Sequence, residues 1–226
     1  MENTIPVSEI FISPQGEGLT TGLMTCFVRV AGCNLAIAKS PCLWCDTKYA
    51  WYPRQAKVSV TSEELKVDID KIMLDNGLKE ICLTGGEPLL YSEQLKGLID
   101  YWSKRYHLTI ETNGSLSIWK YKAMWSLDTK CPSSGNAIHN LYSNLDILTE
   151  KDQVKFIIGT RDDFNFARDL VKMRIFITNI IFQPAWKMVV SSELIDWVKK
   201  DDDIRGRVRI GIQAHKYWYP KRKKGV

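Results

Sequence analysis

From residue 58 onward the chain alternates amphipathic helical stretches with short apolar runs, and no other feature limits the fold as much. This is the pattern of βα units, in which helices cover parallel strands. Thr61-Ser-Glu-Glu64 has the form of a capping box, after which Leu65, Ile69, Ile72 and Met73 recur at helical spacing until Gly77 stops the helix. Leu95, Leu98, Ile99 and Trp102 predict a second helix, Phe166, Ala167, Leu170 and Val171 a third, and Ile195 with Val198 a last one. Strands are predicted at residues 25–30, 80–84, 107–111, 125–127, 154–158, 175–182 and 208–212.

Polar residues follow these strands: Thr84-Gly-Gly-Glu87, Glu111-Thr-Asn-Gly114, Asp128-Thr-Lys130, Gln183-Pro184 and Gln213-Ala-His215. In a parallel barrel such positions share one face, where barrel enzymes assemble their sites. A complete eight-unit barrel takes about 250 residues. This chain has 226 residues and six or seven predicted strands. We therefore expect an α/β fold, an incomplete (partial) TIM-like βα barrel, in a single domain over residues 1–226. An open doubly wound sheet is the alternative, with its site in a crevice.

Three of the six cysteines, Cys33, Cys42 and Cys45, crowd into thirteen residues directly after the first predicted strand. Three thiolates leave an iron–sulfur cluster one open metal corner for an outside ligand, whereas structural zinc takes four protein ligands, which His139 or Cys131 could complete. The spacing alone leaves both open. Cys26 and Cys82 fall inside apolar strand patterns and are read as buried small hydrophobes, and Cys131 as a loop residue. The start of the chain lacks a basic segment followed by an apolar one, and no run of about 18 apolar residues occurs. We expect a soluble cytoplasmic protein with no membrane partner, its clustered thiols serving metal or redox chemistry.

The net charge of +5 comes largely from the end of the chain, where Lys221-Arg-Lys-Lys224 follows Tyr217, Trp218 and Tyr219. Basic and aromatic residues together suit single-stranded nucleic acid. The plainer reading of this basic tail, 216–226, is a solvated terminus whose aromatics pack on the body, so no nucleic-acid partner is expected. Gly85-Gly86-Glu87-Pro88 offers unhindered backbone amides and one carboxylate, a combination able to grip the ammonium and carboxylate of an amino acid.

Taken together, Gln15-Gly-Glu-Gly18, Phe27-Val-Arg29, Ala31-Gly-Cys-Asn-Leu35, Trp44-Cys-Asp-Thr47, Leu83-Thr-Gly-Gly-Glu-Pro88, Glu111-Thr-Asn-Gly114 and Lys130-Cys-Pro-Ser-Ser-Gly135 resemble the landmarks of a known family in the same order. The family is that of the radical S-adenosylmethionine (SAM) enzymes and, within it, the 7-carboxy-7-deazaguanine synthases. The cysteine loop and Gly-Gly-Glu-Pro are common to many radical enzymes; Gln-Gly-Glu-Gly with Arg29 and Cys-Asp-Thr is far more specific. Two departures stand out. Eight residues separate Cys33 from Cys42 where most relatives have three, which we read as an enlarged cluster loop over 33–45. Asp128-Thr-Lys130 stands where relatives often carry Ser-Pro-Lys.

The resemblance implies a barrel of the radical SAM type in which Cys33, Cys42 and Cys45 hold a [4Fe–4S] cluster and Thr47 binds Mg2+. It implies that Trp44, Gly85, Gly86, Glu87, Asn113, Asp128, Thr129, Lys130 and Gln183 lie against SAM. It assigns Pro14, Gln15, Gly16, Glu17, Arg29, Thr84 and His215 to the substrate, with Arg29 and Glu87 as catalytic groups. Were Arg29 structural instead, its partner would be an interior carboxylate such as Glu17. Thr47 could equally be a helix cap, Gln183 a strand end and His215 a structural histidine.

The implied activity is reductive cleavage of SAM to a 5′-deoxyadenosyl radical that takes hydrogen from 6-carboxy-5,6,7,8-tetrahydropterin. The pterin contracts to 7-carboxy-7-deazaguanine with loss of ammonia, a step of 7-deazapurine (queuosine or archaeosine) biosynthesis, and SAM is regenerated. The implied partners are a flavodoxin- or ferredoxin-like electron donor and a second copy of the chain in a homodimer. The alternatives are another radical enzyme, such as a glycyl-radical activase, and a zinc-stabilised nucleic-acid-binding module.

Overall fold

In a computed structural model, residues 3–221, 224 and 225 are described. Nine strands form one sheet in the order β3-β1-β2-β4-β5-β6-β7-β8-β9: β1 (Thr4–Pro14), β2 (Met24–Val30), β3 (Val58–Thr61), β4 (Glu80–Gly85), β5 (His107–Thr112), β6 (Met124–Thr129), β7 (Gln153–Ile158), β8 (Asn179–Pro184) and β9 (Val208–Ile210). From β2 through β9 each neighbouring pair is parallel, so seven strands make the barrel wall. The expected partial barrel is what the chain forms. The sequence reading omitted β1 and β3, which extend the wall beyond β2 as antiparallel strands.

The helices are α1 (Asn34–Ile37), α2 (Ser62–Asp75), α3 (Ser92–Ser103), α4 (Arg161–Met173), α5 (Ser191–Lys199) and α6 (Ala214–Trp218). The predicted capping box opens α2: the Thr61 hydroxyl accepts from Glu64 N–H and the Glu64 carboxylate accepts from Thr61 N–H. Thr160 and Asp163 repeat the arrangement at α4. Leu65, Ile69 and Met73 of α2, with Leu95, Leu98, Ile99 and Trp102 of α3, are buried against the outer face of the wall, which presents Cys26, Val28, Val30, Ile81 and Leu83. Each such large side chain stabilises the fold by about 1.5–3 kcal/mol.

One predicted strand begins late. Ile175 and Ile177 are apolar but 96% and 63% exposed, and pairing begins only at Asn179. The last strand is likewise shorter than predicted, ending at Ile210.

β9 and the outer strands are not paired with each other, and the gap is crossed by loops. Leaving β1, the chain donates Leu19 N–H to Gln153 Oε1 on β7 at 2.8 Å, while Gly16 C=O accepts from Ala214 N–H, beyond β9, at 2.8 Å. Gly18, with φ +77°, lies so close to Gln153 that a Cβ there would fall 2.3 Å from the amide nitrogen. Of the basic tail, Arg222, Lys223 and Val226 lie outside the described residues. Three of its other residues touch the body: Lys216 pairs with Asp46, Tyr217, itself more than half exposed, meets Trp186 edge-on at 5.1 Å, and Lys224 Nζ is 4.4 Å from the Tyr49 ring centroid. Among the described residues no helix is long and apolar enough to cross a membrane.

Candidate active site

A closed barrel fills its interior with branched apolar side chains. Here the alternate positions that turn away from the helices are largely polar. Arg29 stands beside Thr84, Glu111 beside Ser126, Asp128 beside Lys155, and Ile157 beside Gln183 in the strand registers. Such a lining is a chamber for a polar ligand.

Lys155 is the hub of this chamber. Its Nζ is 2.9 Å from Glu17 Oε2 and 4.0 Å from Glu111 Oε1. Glu111 also accepts from the Thr84 hydroxyl at 2.8 Å, and Glu17 from the Gln213 amide at 2.8 Å. Burial raises the pKa of Glu17, but Lys155 and then His215 outweigh it and bring the carboxyl down to about 2. Burial works against the Lys155 cation, yet Glu17, Glu111 and Asp128 hold its pKa above the usual lysine value. His215 is pushed below the usual histidine range by burial, against the pull of Glu17, so its ring is neutral at neutral pH. A Cβ on Gly16 would lie 2.3 Å from His215 Nδ1, so this glycine lets the two loops touch. Gln15 is buried and its amide donates to Cys82 Sγ at 3.7 Å. The structure thus brings Gln15, Gly16, Glu17, Thr84, Gln183 and His215 together around a lysine that the sequence reading passed over. Its signal was a charged residue inside the apolar run Val154-Lys-Phe-Ile-Ile158.

Arg29 does pair with an interior carboxylate, as the structural reading of it held, but not with Glu17. Its partner is Glu9, at 2.8 Å across the antiparallel pair β1–β2.

The cysteine loop crosses the top of β2. Its ends are pinned by Gly32 N–H donating to Ala50 C=O and Cys33 N–H to Trp51 C=O, each at 2.8 Å. The extra residues wind into α1, whose N-cap is Cys33. Each thiol receives a side-chain N–H: Cys33 from Asn113 at 3.9 Å, Cys42 from Asn136 at 3.7 Å and Cys45 from the Trp51 indole at 3.3 Å, and Cys33 also faces the backbone N–H groups of Leu35 and Ala36. Burial raises the pKa of Cys33 and Cys42, and the Lys130 cation opposes it at both. Among the described residues no three His, Cys, Asp or Glu side chains converge as ligands of a single metal ion. A cluster instead takes each thiolate on a separate iron, and N–H donors around the sulfurs suit it. The residues present therefore fit a [4Fe–4S] cluster. Ser40 and Leu43 of the loop bond to Asn136 and Ser134, so the Lys130-Cys-Pro-Ser-Ser-Gly135 segment supports the cysteines from beneath. Cys131 itself is buried, its thiol directed to Thr129 C=O.

At Gly85 and Gly86 the missing side chains serve the protein's own backbone. A Cβ on Gly86 would lie 2.2 Å from Gly32 O and 2.6 Å from Ala50 O, and one on Gly85, at φ +144°, 2.3 Å from Val30 O. These glycines, read from the sequence as open to an amino-acid ligand, also admit the residues that flank the cysteine loop. Gly86→Ala is expected to push that loop away and to lower stability by about 1–3 kcal/mol in a urea titration. Gly97→Ala on the exposed face of α3, where nothing lies within 4 Å, serves as the opposite control, raising stability by up to about 1 kcal/mol.

Glu87 is fully buried and already engaged. Its oxygens accept from Leu89 N–H at 3.1 Å, the Thr112 hydroxyl at 2.9 Å and Asn113 N–H at 2.7 Å, bracing the ends of β4 and β5 together. Burial raises its pKa to about 6 in spite of those donors. In this arrangement Glu87 holds the loops rather than offering an open carboxylate. Asp128 is different: Oδ2 pairs with Lys130 Nζ at 2.6 Å, while Oδ1 is buried without a partner. Both amide atoms of buried Gln183 likewise lack one, although the side chain is near enough to Glu17 to lower its pKa. Buried polar atoms are seldom left unpaired, so these await donors and acceptors on a ligand, and the polar groups of SAM fit the Asp128 side.

Some predicted residues lie elsewhere. Thr47 occupies the N-cap position of a 3₁₀ turn without capping it, and its hydroxyl donates to Asp46 at 3.1 Å. Trp44 is half-buried on the loop, Thr129 is buried at the end of β6, and Pro14 ends β1 opposite Met24.

A strand wall with a polar interior, crossed by a three-cysteine loop, is the setting of radical SAM chemistry, and the Radical SAM superfamily model matches residues 27–173. The chain belongs to that superfamily. It is 32% identical to a 7-carboxy-7-deazaguanine synthase of Koribacter versatilis over 97% of this chain and 99% of the relative, and 33% identical to one of Clostridium acetobutylicum over 97% and 98%. Within the superfamily, it belongs to the 7-carboxy-7-deazaguanine synthase family. The crystal structure of QueE from Escherichia coli has the same fold, with a TM-score of 0.67 at 22% identity over 94% of this chain and 95% of that one.

Proposed function

We propose that this chain is a 7-carboxy-7-deazaguanine synthase, converting 6-carboxy-5,6,7,8-tetrahydropterin to 7-carboxy-7-deazaguanine with loss of ammonia, and hence a carbon–nitrogen lyase of 7-deazapurine biosynthesis. The observation that carries the reading is the polar chamber, with Arg29 and the Glu17–Lys155–Glu111 group inside it and the cysteine loop across its rim. When bound, the cluster and SAM supply one-electron reduction and reversible hydrogen transfer.

The chain's own residues bind and orient. Arg29 takes the substrate carboxylate, since a planar guanidinium matches it with paired hydrogen bonds. Gln15, Gln183 and neutral His215 meet the polar edge of the pterin, Gln183 through the amide atoms that lack partners. Asp128 and Lys130 face SAM, Asn113 and Glu87 brace the rim, and Cys33, Cys42 and Cys45 ligate the cluster. Thr47, two residues past Cys45, would offer Mg2+ an oxygen between the two reactants. We extend the proposal to a flavodoxin- or ferredoxin-like donor, a homodimer and a cytoplasmic setting, which suits six free thiols.

The test is anaerobic reconstitution with iron and sulfide, reduction, and incubation with SAM and the carboxylated pterin, followed by mass spectrometry. We expect the deazaguanine product, ammonia in equal amount, and faster turnover with Mg2+. Unchanged pterin with a fully loaded cluster would refute the assignment.

A further inference from the structure

Arg29 is held by a pair of residues that no part of the functional reading used. Glu9 Oε1 accepts at once from Arg29 Nε and from the Tyr49 hydroxyl, each at 2.8 Å. Glu9 and Arg29 are only 6% and 13% exposed, so this charge-assisted bond is shielded from solvent. The guanidinium also packs on two rings, its carbon 5.6 Å from the centroid of Phe11 and 6.0 Å from that of Tyr49, and Phe11 is in turn stacked on Phe27 at 4.8 Å.

A guanidinium carries five N–H donors in one plane. Glu9 takes the Nε–H, and among the described residues neither Nη donates to a protein acceptor. The edge formed by the two Nη groups is therefore left for a planar anion on the chamber side, where Glu111 is already within electrostatic reach of Arg29. Tyr49 stands four residues past Cys45 on the segment that ends the cysteine loop. One carboxylate oxygen thus links the anion-binding arginine to the folding of that loop.

We propose that Glu9 and Tyr49 are positioning residues which fix the Arg29 fork toward the carboxylate of the substrate and couple that orientation to the cysteine loop. The inference rests on the synthase reading above. Pre-ordering the arginine removes rotamer entropy that binding would otherwise have to overcome. The preference for a carboxylated ligand should therefore depend on both residues, beyond their share in stability.

The experiment compares Glu9→Gln and Tyr49→Phe with the unmodified protein, each loaded with cluster and SAM. Anaerobic calorimetry gives dissociation constants for 6-carboxy-5,6,7,8-tetrahydropterin and for tetrahydropterin lacking the carboxylate. We expect the ratio of the second constant to the first, which measures the preference for the carboxylate, to fall about tenfold in Glu9→Gln and several-fold in Tyr49→Phe. KM should rise more than kcat falls, while iron content and visible absorbance stay unchanged. A merely structural role would lower Tm and leave the ratio intact, which overturns the proposal. A ratio altered in Glu9→Gln but not in Tyr49→Phe overturns the coupling to the loop. Should Glu9→Gln fail to fold, Tyr49→Phe decides alone. If the unmodified protein fails to distinguish the two pterins, it is the synthase reading that falls instead.

Discussion

Alanine at any one of Cys33, Cys42 or Cys45 is expected to reduce formation of 7-carboxy-7-deazaguanine to background. Each of these thiols lies on the one loop and receives its own N–H donor, which is what the proposed ligation of a cluster requires of them. Losing one leaves only two ligands, and the hard chemistry goes with the cofactor. The readouts are iron and sulfide content, the visible absorbance of the reconstituted protein, and product by mass spectrometry. Cys26 provides the contrast. It is fully buried on the helix side of β2, burial raises its thiol pKa to about 11, and it touches none of this chemistry. Cys26→Ala should cost about 1–2 kcal/mol of stability and leave cluster content intact. Comparable losses of iron in both would contradict the assignment of the loop.

Lys155→Met should produce the largest fall in stability. It keeps most of the apolar stem but strands the half-buried carboxylates of Glu17 and Glu111 without their cation, and breaking a buried pair in this way costs about 3–5 kcal/mol. Against a total of about 5–15 kcal/mol that is a large share. Adding Glu17→Gln to Lys155→Met should restore part of the loss, and a double-mutant cycle by urea titration measures the coupling. The dependence on pH has a definite sign. Glu17 titrates at about 2 in the folded protein against an ordinary 4.5. Its contribution is therefore complete above about 4.5 and disappears as the pH falls from there toward about 2. The gap in stability between the unmodified protein and Lys155→Met should narrow over that interval. A gap of constant width would mean that Lys155 acts through packing alone.

The parts of this fold that were legible in the sequence are those specified by neighbours in the chain. The capping box of α2, the periodicity of α3 and the stop at Gly77 each rest on residues a few positions apart, and local rules describe them. β1 escaped because Pro6 and Pro14 interrupt an alternating run, and because its partners, β2 and β3, are set by tertiary pairing. Ile175 and Ile177 misled in the opposite direction, since apolar residues also occur on surfaces.

In the candidate site, motif positions were readable and partnerships were not. Glu17 was visible within Gln15-Gly-Glu-Gly18, but Lys155 lies 138 residues away, and nothing local indicates that the two meet. Gly85-Gly86 was read as open to an amino-acid ligand, and only the folded chain reveals that the ends of the cysteine loop and Val30 come so near these glycines.

The wall of the chamber is uneven in strength around its circumference. Nine strands are joined by ladders, whereas the remaining arc is fastened by Gly16 to Ala214, Leu19 to Gln153, and the side chains of Glu17 with Lys155 and Gln213. A handful of bonds can part there without disturbing any ladder. Glu17, foremost among these fastenings, also lines the chamber, so the closing of the wall and the lining of the site rest on one set of side chains.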